Sequence, residues 1–309
     1  MIQTFHPFSD PDIIDILLKN KRILKAYKFP NSEILVFQLK LPFFKKSYSF
    51  LITTNLTQKV KNQLPILAKK HQAIFAIAEP NQFEIQKDQK QNPAKEPFKS
   101  LVPIQTTVLD LNLSQEALLK NMHSKTRYNI KVAKKHNIKV QKSENIKDFY
   151  KILKLTSTRD NFAINSEKYI QSFYENLKKK NKAQLYLAFK DQTPVAFKDQ
   201  TPVAGLICTY HKQTAIYYYG ASDHQYRKFM APYLLQWQAI TDAKTQGFHT
   251  YDFLGVTTSK DPKHQLSGVS QFKLKFNGPV LNFQERQTLV YKPFLFLLLK
   301  LKKSLKRFF

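Results

Sequence analysis

The apolar positions between Gly205 and Val256 change period as they run. Two β-branched and aromatic stretches, Leu206 to Tyr210 and Thr214 to Tyr219, flank the polar His211-Lys212-Gln213 and predict a hairpin. Gly220-Ala221-Ser222-Asp223 then lets the chain turn. From Pro232 onward Leu234, Leu235, Trp237, Ala239, Ile240 and Ala243 fall at helical spacing, and Gly247 stands just past them as a stop signal. Tyr251 to Leu254 predicts a short buried strand ending at Gly255. A helix that leaves a sheet and returns as a neighbouring strand is an α/β unit.

The same reading extends outward. Ile13, Ile14, Leu17 and Leu18 give Asp10–Leu24 a helical pattern, with extended runs at Ile34–Leu39 and Tyr48–Ile52. Leu56–Lys70 predicts a second amphipathic helix and Ala73–Ala78 a buried strand. Phe83–Phe98, rich in Gln and Lys, reads as a loop. Thr106–Leu111 is a strand carrying Asp110 at its end. Ser114 caps the next helix with Glu116 in its first turn, and a basic helix, Ser124 to His136, follows. Ile146–Ser157 and Ser166–Lys178 are two more amphipathic helices. Gln271 to Phe276 alternates as a strand with Lys273 and Lys275 on one face, Asn277-Gly278 turns it, and Leu281–Val290 reads as a last strand pairing back. The expected division places residues 1–145 plus 280–309 in a first domain and 146–279 in a second.

One feature breaks the pattern. Ala188-Phe-Lys-Asp-Gln-Thr-Pro-Val195 is followed at once by the same eight residues, Ala196 to Val203. An even insertion keeps strand alternation in phase, and Pro194 and Pro202 argue against a central strand. One copy is expected to bulge out as a loop.

Composition narrows the class. With 42% hydrophobic residues, 25 Phe and 15 Tyr, the chain can fill a core. A single cysteine, Cys208, excludes an intramolecular disulfide and reads as a small buried hydrophobe. Eight His are scattered without ligand spacing, so no metal site is expected. The opening residues lack the apolar core of a signal peptide and nothing approaches a membrane span, so the expected compartment is the cytoplasm. The net charge of +28, with only 22 acids, points to a polyanion, although only six of the 50 cations are Arg and Lys-rich composition is the competing explanation. Lys125 and Arg127 sit at the start of the basic helix, where cations oppose the helix dipole, which suggests an anionic ligand there; a solvated face is the alternative. The tail PFLFLLLKLKKSLKRFF reads either as a terminal helix packed on the first domain or as a peripheral contact with an anionic membrane.

Several motifs in order then resemble the FemABX family: Lys120 to Lys135, Tyr219-Gly-Ala-Ser222, Met230-Ala-Pro-Tyr-Leu-Leu-Gln-Trp237, Tyr251-Asp-Phe253 and Phe272-Lys273. The resemblance covers residues 45 to 295. It implies two tandem GCN5-related N-acetyltransferase-like domains of α/β class with mixed sheets, the C-terminal segment returning to the first. It implies transfer of an amino acid from aminoacyl-tRNA, a co-substrate rather than a cofactor, to the stem-peptide amine of a UDP-linked or lipid-linked muropeptide. An acetyl-CoA cradle needs free backbone N–H groups at the helix start, and Arg227-Lys-Phe-Met-Ala-Pro232 offers few. Aminolysis of an ester needs a neutral amine and stabilisation of an oxyanion.

By that resemblance Lys273, beside Phe272, binds phosphate and steadies the tetrahedral intermediate, with Lys275 as its competitor. Asp110 matches an acidic residue that acts as base or amine-positioning group; a strand-end turn is the alternative. Tyr219 and Tyr169 match tyrosines lining the muropeptide site. Arg227 and Tyr251 are candidate pocket residues, with structural roles as the alternative, and Trp237 belongs to the core. The chain departs from the pattern at Asn165, where Arg is expected, at Leu254-Gly255 in place of Gly-Gly or Trp-Gly, and in its first 40 residues, which lack an aromatic-rich opening. Two other functions stay open: an acyl-CoA-dependent N-acyltransferase, and a catalytically lapsed protein that binds tRNA or a membrane surface.

Overall fold

The computed structural model describes residues 7–39, 47–79, 83–84, 104–190, 202–261, 264–283 and 286–305. The chain divides into two compact units. A central unit spans Gln105–Val280, and a terminal unit joins Thr4–Ile104 to Leu281–Phe309. The expected boundary at 145 falls inside the central unit. The physical reason is strand pairing: Ile138–Ser143 is hydrogen-bonded along its length to Ala183–Lys190, so residues 105–145 belong to the central sheet.

In the terminal unit, helix α1 (Pro11–Lys19) starts where the Asp10 carboxylate accepts the N–H groups of Asp12 and Ile13, with Pro11 pre-set for the first turn. Strands β1 (Lys25–Phe29), β2 (Ser32–Leu39) and β3 (Tyr48–Thr53) form an antiparallel meander. Helix α2 (Gln58–Lys70), capped by Thr57, crosses over to β4 (Ala73–Ala78), which lies parallel to β3. Short β5 (Phe83–Glu84) pairs with the last residues of β12 (Val280–Phe283), and β13 (Gln287–Val290) closes the sheet antiparallel to β4. The C-terminal segment therefore does return, but as two strands rather than the single expected strand 281–290. Val60, Leu64, Leu67 and Ala68 of α2 cover one face of the sheet. Phe296 and Leu299 of α9 (Pro293–Leu305) pack on Tyr48, Phe75 and Ile77.

The central unit is built on a mixed sheet ordered β6–β11–β10–β9–β8–β7. Its strands are β6 (Gln105–Asp110), β7 (Ile138–Ser143), β8 (Ala183–Lys190), β9 (Pro202–His211), β10 (Thr214–Ser222) and β11 (Thr250–Asp252). The β9–β10 hairpin and the parallel return of β11 beside β10 match the pattern in the sequence. Alternation along β9 sets the two faces. Gly205 leaves room for Phe149 of α5 (Ile146–Asp160), where an added Cβ would come within 2.8 Å of the ring. Leu206 and Cys208 instead join a cluster with Ile130 of α4 (Ser124–Lys135) and Leu235, Trp237 and Ile240 of α7 (Ala231–Thr245). Helix α7 is buried around much of its circumference, and each large side chain so buried contributes about 1.5–3 kcal/mol. Helices α3 (Gln115–Asn121) and α6 (Glu167–Lys178) complete the layers, the first capped by Ser114 as its sequence indicates and the second by Ser166.

Two expectations change here. Residues 271–276 are not a strand: Ser267–Leu274 forms helix α8. The Phe-Lys-Leu-Lys-Phe alternation also contains Phe272 and Phe276 four apart, and their contact (5.4 Å between ring centres) is the helical one. Pro202 opens a central strand, opposite Phe189 across a register shift; as first residue of β9 it needs no ladder donor. The expected bulge of the repeat falls at 191–201, outside the described residues.

Candidate functional site

A cavity of about 380 Å³ opens where α7 begins. Asp223 caps a 3-10 turn, His224–Phe229, through its carboxylate and the N–H of Gln225 (2.9 Å). Met230 then takes a left-handed conformation (φ 54°) and the helix starts. Three cations line the cavity: Arg159 from the end of α5, and Arg227 and Lys228 from the 3-10 turn. Met230, Pro232, Tyr233 and Phe272 supply its apolar wall. The Arg159 guanidinium is held by Asp160 (2.6 and 2.7 Å) and reaches the carbonyl of Ser222 (3.3 Å). Hydrogen bonding to Asp160 raises its already high pKa, so it is a fixed charge. Arg227 Nη1 lies 2.8 Å from His224 Nε2. Pro232 has no N–H, and that of Tyr233 donates to Met230 O (3.0 Å). The helix start thus offers little backbone cradle for a pyrophosphate, and its side-chain cations dominate.

Lys273 is placed behind this wall. It is 7% exposed and does not line the cavity, although Phe272 beside it does. Its Nζ donates to the carbonyls of Leu254 and Gly255 (2.9 Å for the latter) and lies 5.3 Å from the centre of the Tyr217 ring. Both residues that supply these acceptor carbonyls are left-handed, with φ 48° at Leu254 and 61° at Gly255, which turns their oxygens toward the amine. A left-handed Leu is strained where Gly would not be. Burial pushes the Lys273 amine down to about 7, against the Asp252 carboxylate, which acts in the opposite direction. Asp252 itself is buried. It accepts the hydroxyl of Thr106 and the N–H of Leu254 (2.8 Å).

Gly220 makes this arrangement possible. A Cβ there would stand 1.6 Å from the Tyr217 hydroxyl and 2.3 Å from the ring, so only glycine lets that side chain lie across the strand. A register shift between Tyr217 and Tyr219 breaks the two-residue alternation of β10. Tyr217 consequently faces Phe253 and Lys273, while Tyr218 and Tyr219 both meet Phe173 of α6 (4.7 and 5.7 Å).

The remaining candidates are dispersed. Tyr219 accepts from Asn165 Nδ2 (3.3 Å), and Tyr169 stacks on Phe173, which forms an aromatic group with Tyr218 and Tyr219 away from the residues lining the cavity. Tyr251 is fully buried and donates to Gln236 Oε1 (2.7 Å), which makes it a core residue rather than a pocket wall. Burial raises its pKa well above the ordinary tyrosine value. Asp110 is exposed, and its carboxylate accepts the backbone N–H and side-chain amide of Asn112 (3.0 and 2.8 Å), a strand-end turn. It stands two residues along β6 from Val108, the residue paired with Asp252, or about 7 Å along the strand. Arg127 donates to the carbonyls of Lys120 and Met122 and so closes the end of α3, whereas Lys125 is exposed. Trp237 is core, and Cys208 is buried with its thiol pushed up to about 12.

Sequence reasoning missed Arg159, Lys228 and Asp252. Asp252 was visible inside Tyr-Asp-Phe as an acid in an apolar strand, which requires a partner. Arg159 ends a helix far away in sequence and carried no such signal.

The model of the FemAB family matches residues 96–193 and 189–303. The two stretches overlap within the repeated octapeptide. The aminoacyltransferase FemA of Staphylococcus aureus is 29% identical over 68 residues, which is 22% of this chain and 16% of FemA; the match spans a small part of that relative's length. The crystal structure of FemX superposes with a TM-score of 0.73 at 15% identity, over 94% of this chain and 93% of FemX. L-PGS from Bacillus licheniformis gives 0.52 at 10% identity over 98% of both chains. These superpositions establish a shared α/β fold with two mixed-sheet units. The family match, running through the cavity, Lys273 and the sheet beneath them, shows that the chain belongs to the FemAB family.

Proposed function

We propose that this protein transfers an amino acid from aminoacyl-tRNA to the stem-peptide amine of a peptidoglycan precursor, UDP-linked or lipid-linked. In that reaction a neutral amine attacks the ester carbonyl and a tetrahedral oxyanion forms. The ribose oxygen then leaves, taking up the proton the amine loses, and a peptide bond remains. An ester is already an activated acyl donor, so the chemistry calls for no further cofactor. The observation that carries this reading is the FemAB match over 96–303 together with a cavity edged by Arg159, Arg227 and Lys228. These cations suit the phosphates of a nucleotide-linked substrate. With its N–H groups on the Leu254 and Gly255 carbonyls, Lys273 acts in this proposal by holding that turn, and with it the Phe272 side of the cavity.

The test is transfer of radiolabelled amino acid from charged tRNA to lipid II or UDP-muropeptide. Label appearing in the acceptor supports the proposal. No transfer over a panel of aminoacyl-tRNAs and acceptors defeats it, and transfer from an acyl-CoA would replace it with the N-acyltransferase reading. Arg227→Met should lower kcat/KM by about tenfold or more, the scale of a lost charge-assisted contact of about 1.5–3 kcal/mol.

The proposal includes a peripheral contact with the inner face of the membrane through α9. No helix among the described residues is long and apolar enough to cross a membrane. The outward face of α9 presents Phe294, Leu297 and Leu301, at 71, 54 and 53% exposure, spaced as one helical stripe. Lys300 is exposed beside them, and the sequence continues with Lys302, Lys303, Lys306 and Arg307, a composition suited to anionic lipid.

A further inference from the structure

Helix α4 has no acidic residue, and what it shows to solvent is ordered. Lys125, Tyr128, Lys131 and Lys135 recur every three or four positions and all are exposed, Tyr128 at 65%. They form a single stripe about 15 Å long. Arg127 is not on it, being engaged with the end of α3. An exposed aromatic ring between lysines is wasteful for solubility alone, but it is the arrangement that stacks an unpaired base while cations hold the flanking phosphates.

The stripe runs to the cavity. His136, at the end of α4, meets Phe229 edge to face (5.1 Å). Lys190 and Lys228 stand 4.9 and 5.3 Å from the centre of the same ring. Lys228, next to Phe229, lines the cavity at the start of α7. Cation and aromatic thus alternate from Lys125 to the cavity within one compact unit.

We propose that the Lys125–Tyr128–Lys131–Lys135 stripe and the Phe229 cluster form a track for single-stranded RNA that delivers the 3′ end of a tRNA to the cavity at the start of α7. This rests on the transferase reading for the identity of the RNA and not for the existence of the track. Tyr128 stacks an unpaired base, the lysines contact the backbone, and Lys190, Lys228 and Phe229 guide the end inward. Duplex RNA, whose bases are already stacked, gains nothing from Tyr128.

The experiment is fluorescence anisotropy of the full chain with a labelled single-stranded RNA ending in CCA, and with the same strand in a duplex, over a range of salt. Tyr128→Ala should weaken single-strand binding at least about fivefold and Tyr128→Phe should restore it, with duplex binding little changed. Lys131→Gln should flatten the dependence of log K on log salt by about 0.7. Both positions are exposed, so the fold is checked only by the emission of Trp237, the single tryptophan. Wild-type affinity in Tyr128→Ala, or an equal loss on duplex, overturns the track. Amino-acid transfer by the same proteins separates the two ideas. Unaltered binding and transfer in every variant removes the track and leaves the reaction. Tyr128-dependent binding with no transfer by the wild type leaves the track and removes the reaction.

Discussion

Replacing Lys273 by Met tests the buried amine directly, through the pH dependence of stability. The folded-state pKa is lowered from 10.5 to about 7 because the amine is buried. Between those values the folded protein has released the proton and the unfolded chain still holds it. The unfolded state then binds more protons, so stability rises with pH in this window and the gain is absent below pH 7. Each pH unit contributes about 1.4 kcal/mol, or about 2 kcal/mol between roughly pH 7.5 and 9. Buried acids act in the other direction above pH 9: the Cys208 thiol is pushed up to about 12, so stability falls once the unfolded thiol ionises. Subtracting the Lys273→Met curve from the wild-type curve cancels such terms. The assay is urea unfolding followed by Trp237, which is buried in the same unit as Lys273. The expected difference curve climbs by about 2 kcal/mol over this range. A flat difference would refute a buried, largely desolvated amine at this position.

Asp252→Asn removes the charge that favours protonated Lys273, so the climbing part of the same difference curve, repeated in that background, should begin at lower pH. Gly220→Ala forces the Tyr217 ring out of its place; it should cost about 1–3 kcal/mol in urea unfolding, the usual range for an overpacked site, and an unchanged midpoint would contradict the close approach. Phe294→Glu with Leu297→Glu should abolish sedimentation with vesicles containing phosphatidylglycerol while leaving the circular-dichroism melt in place. Sedimentation equal to wild type would exclude the outer face of α9 as a membrane contact.

Much of the fold was legible because local pattern and burial agreed. The β9–β10 hairpin, α7 and β11 are declared by β-branched and aromatic runs around a polar turn and by a long apolar stretch that ends at Gly247, and β9, α7 and β11 are deeply buried. Ser114 marks a helix start by chemistry that acts over three residues. The pattern failed at Gln271–Phe276, where a short run satisfies both periods and only packing of Phe272 on Tyr233 and Phe276 decides for helix. It failed again at the domain boundary, since pairing of β7 with β8 joins residues over forty positions apart.

The site divides along the same line. The sequence by itself determined that a basic α/β protein would carry cations near Arg227, a Phe-Lys pair and an apolar helix behind them. It could not determine that Tyr217 and Tyr219 face apart, because a register shift in β10 cancels the alternation on which that judgement depends. Nor could it place Arg159 at the cavity, or Lys273 against the Leu254–Gly255 turn with Asp252 nearby. Those relations depend on which distant backbone carbonyls and carboxylates share a buried volume, and only the closed tertiary structure fixes that volume and its low polarity.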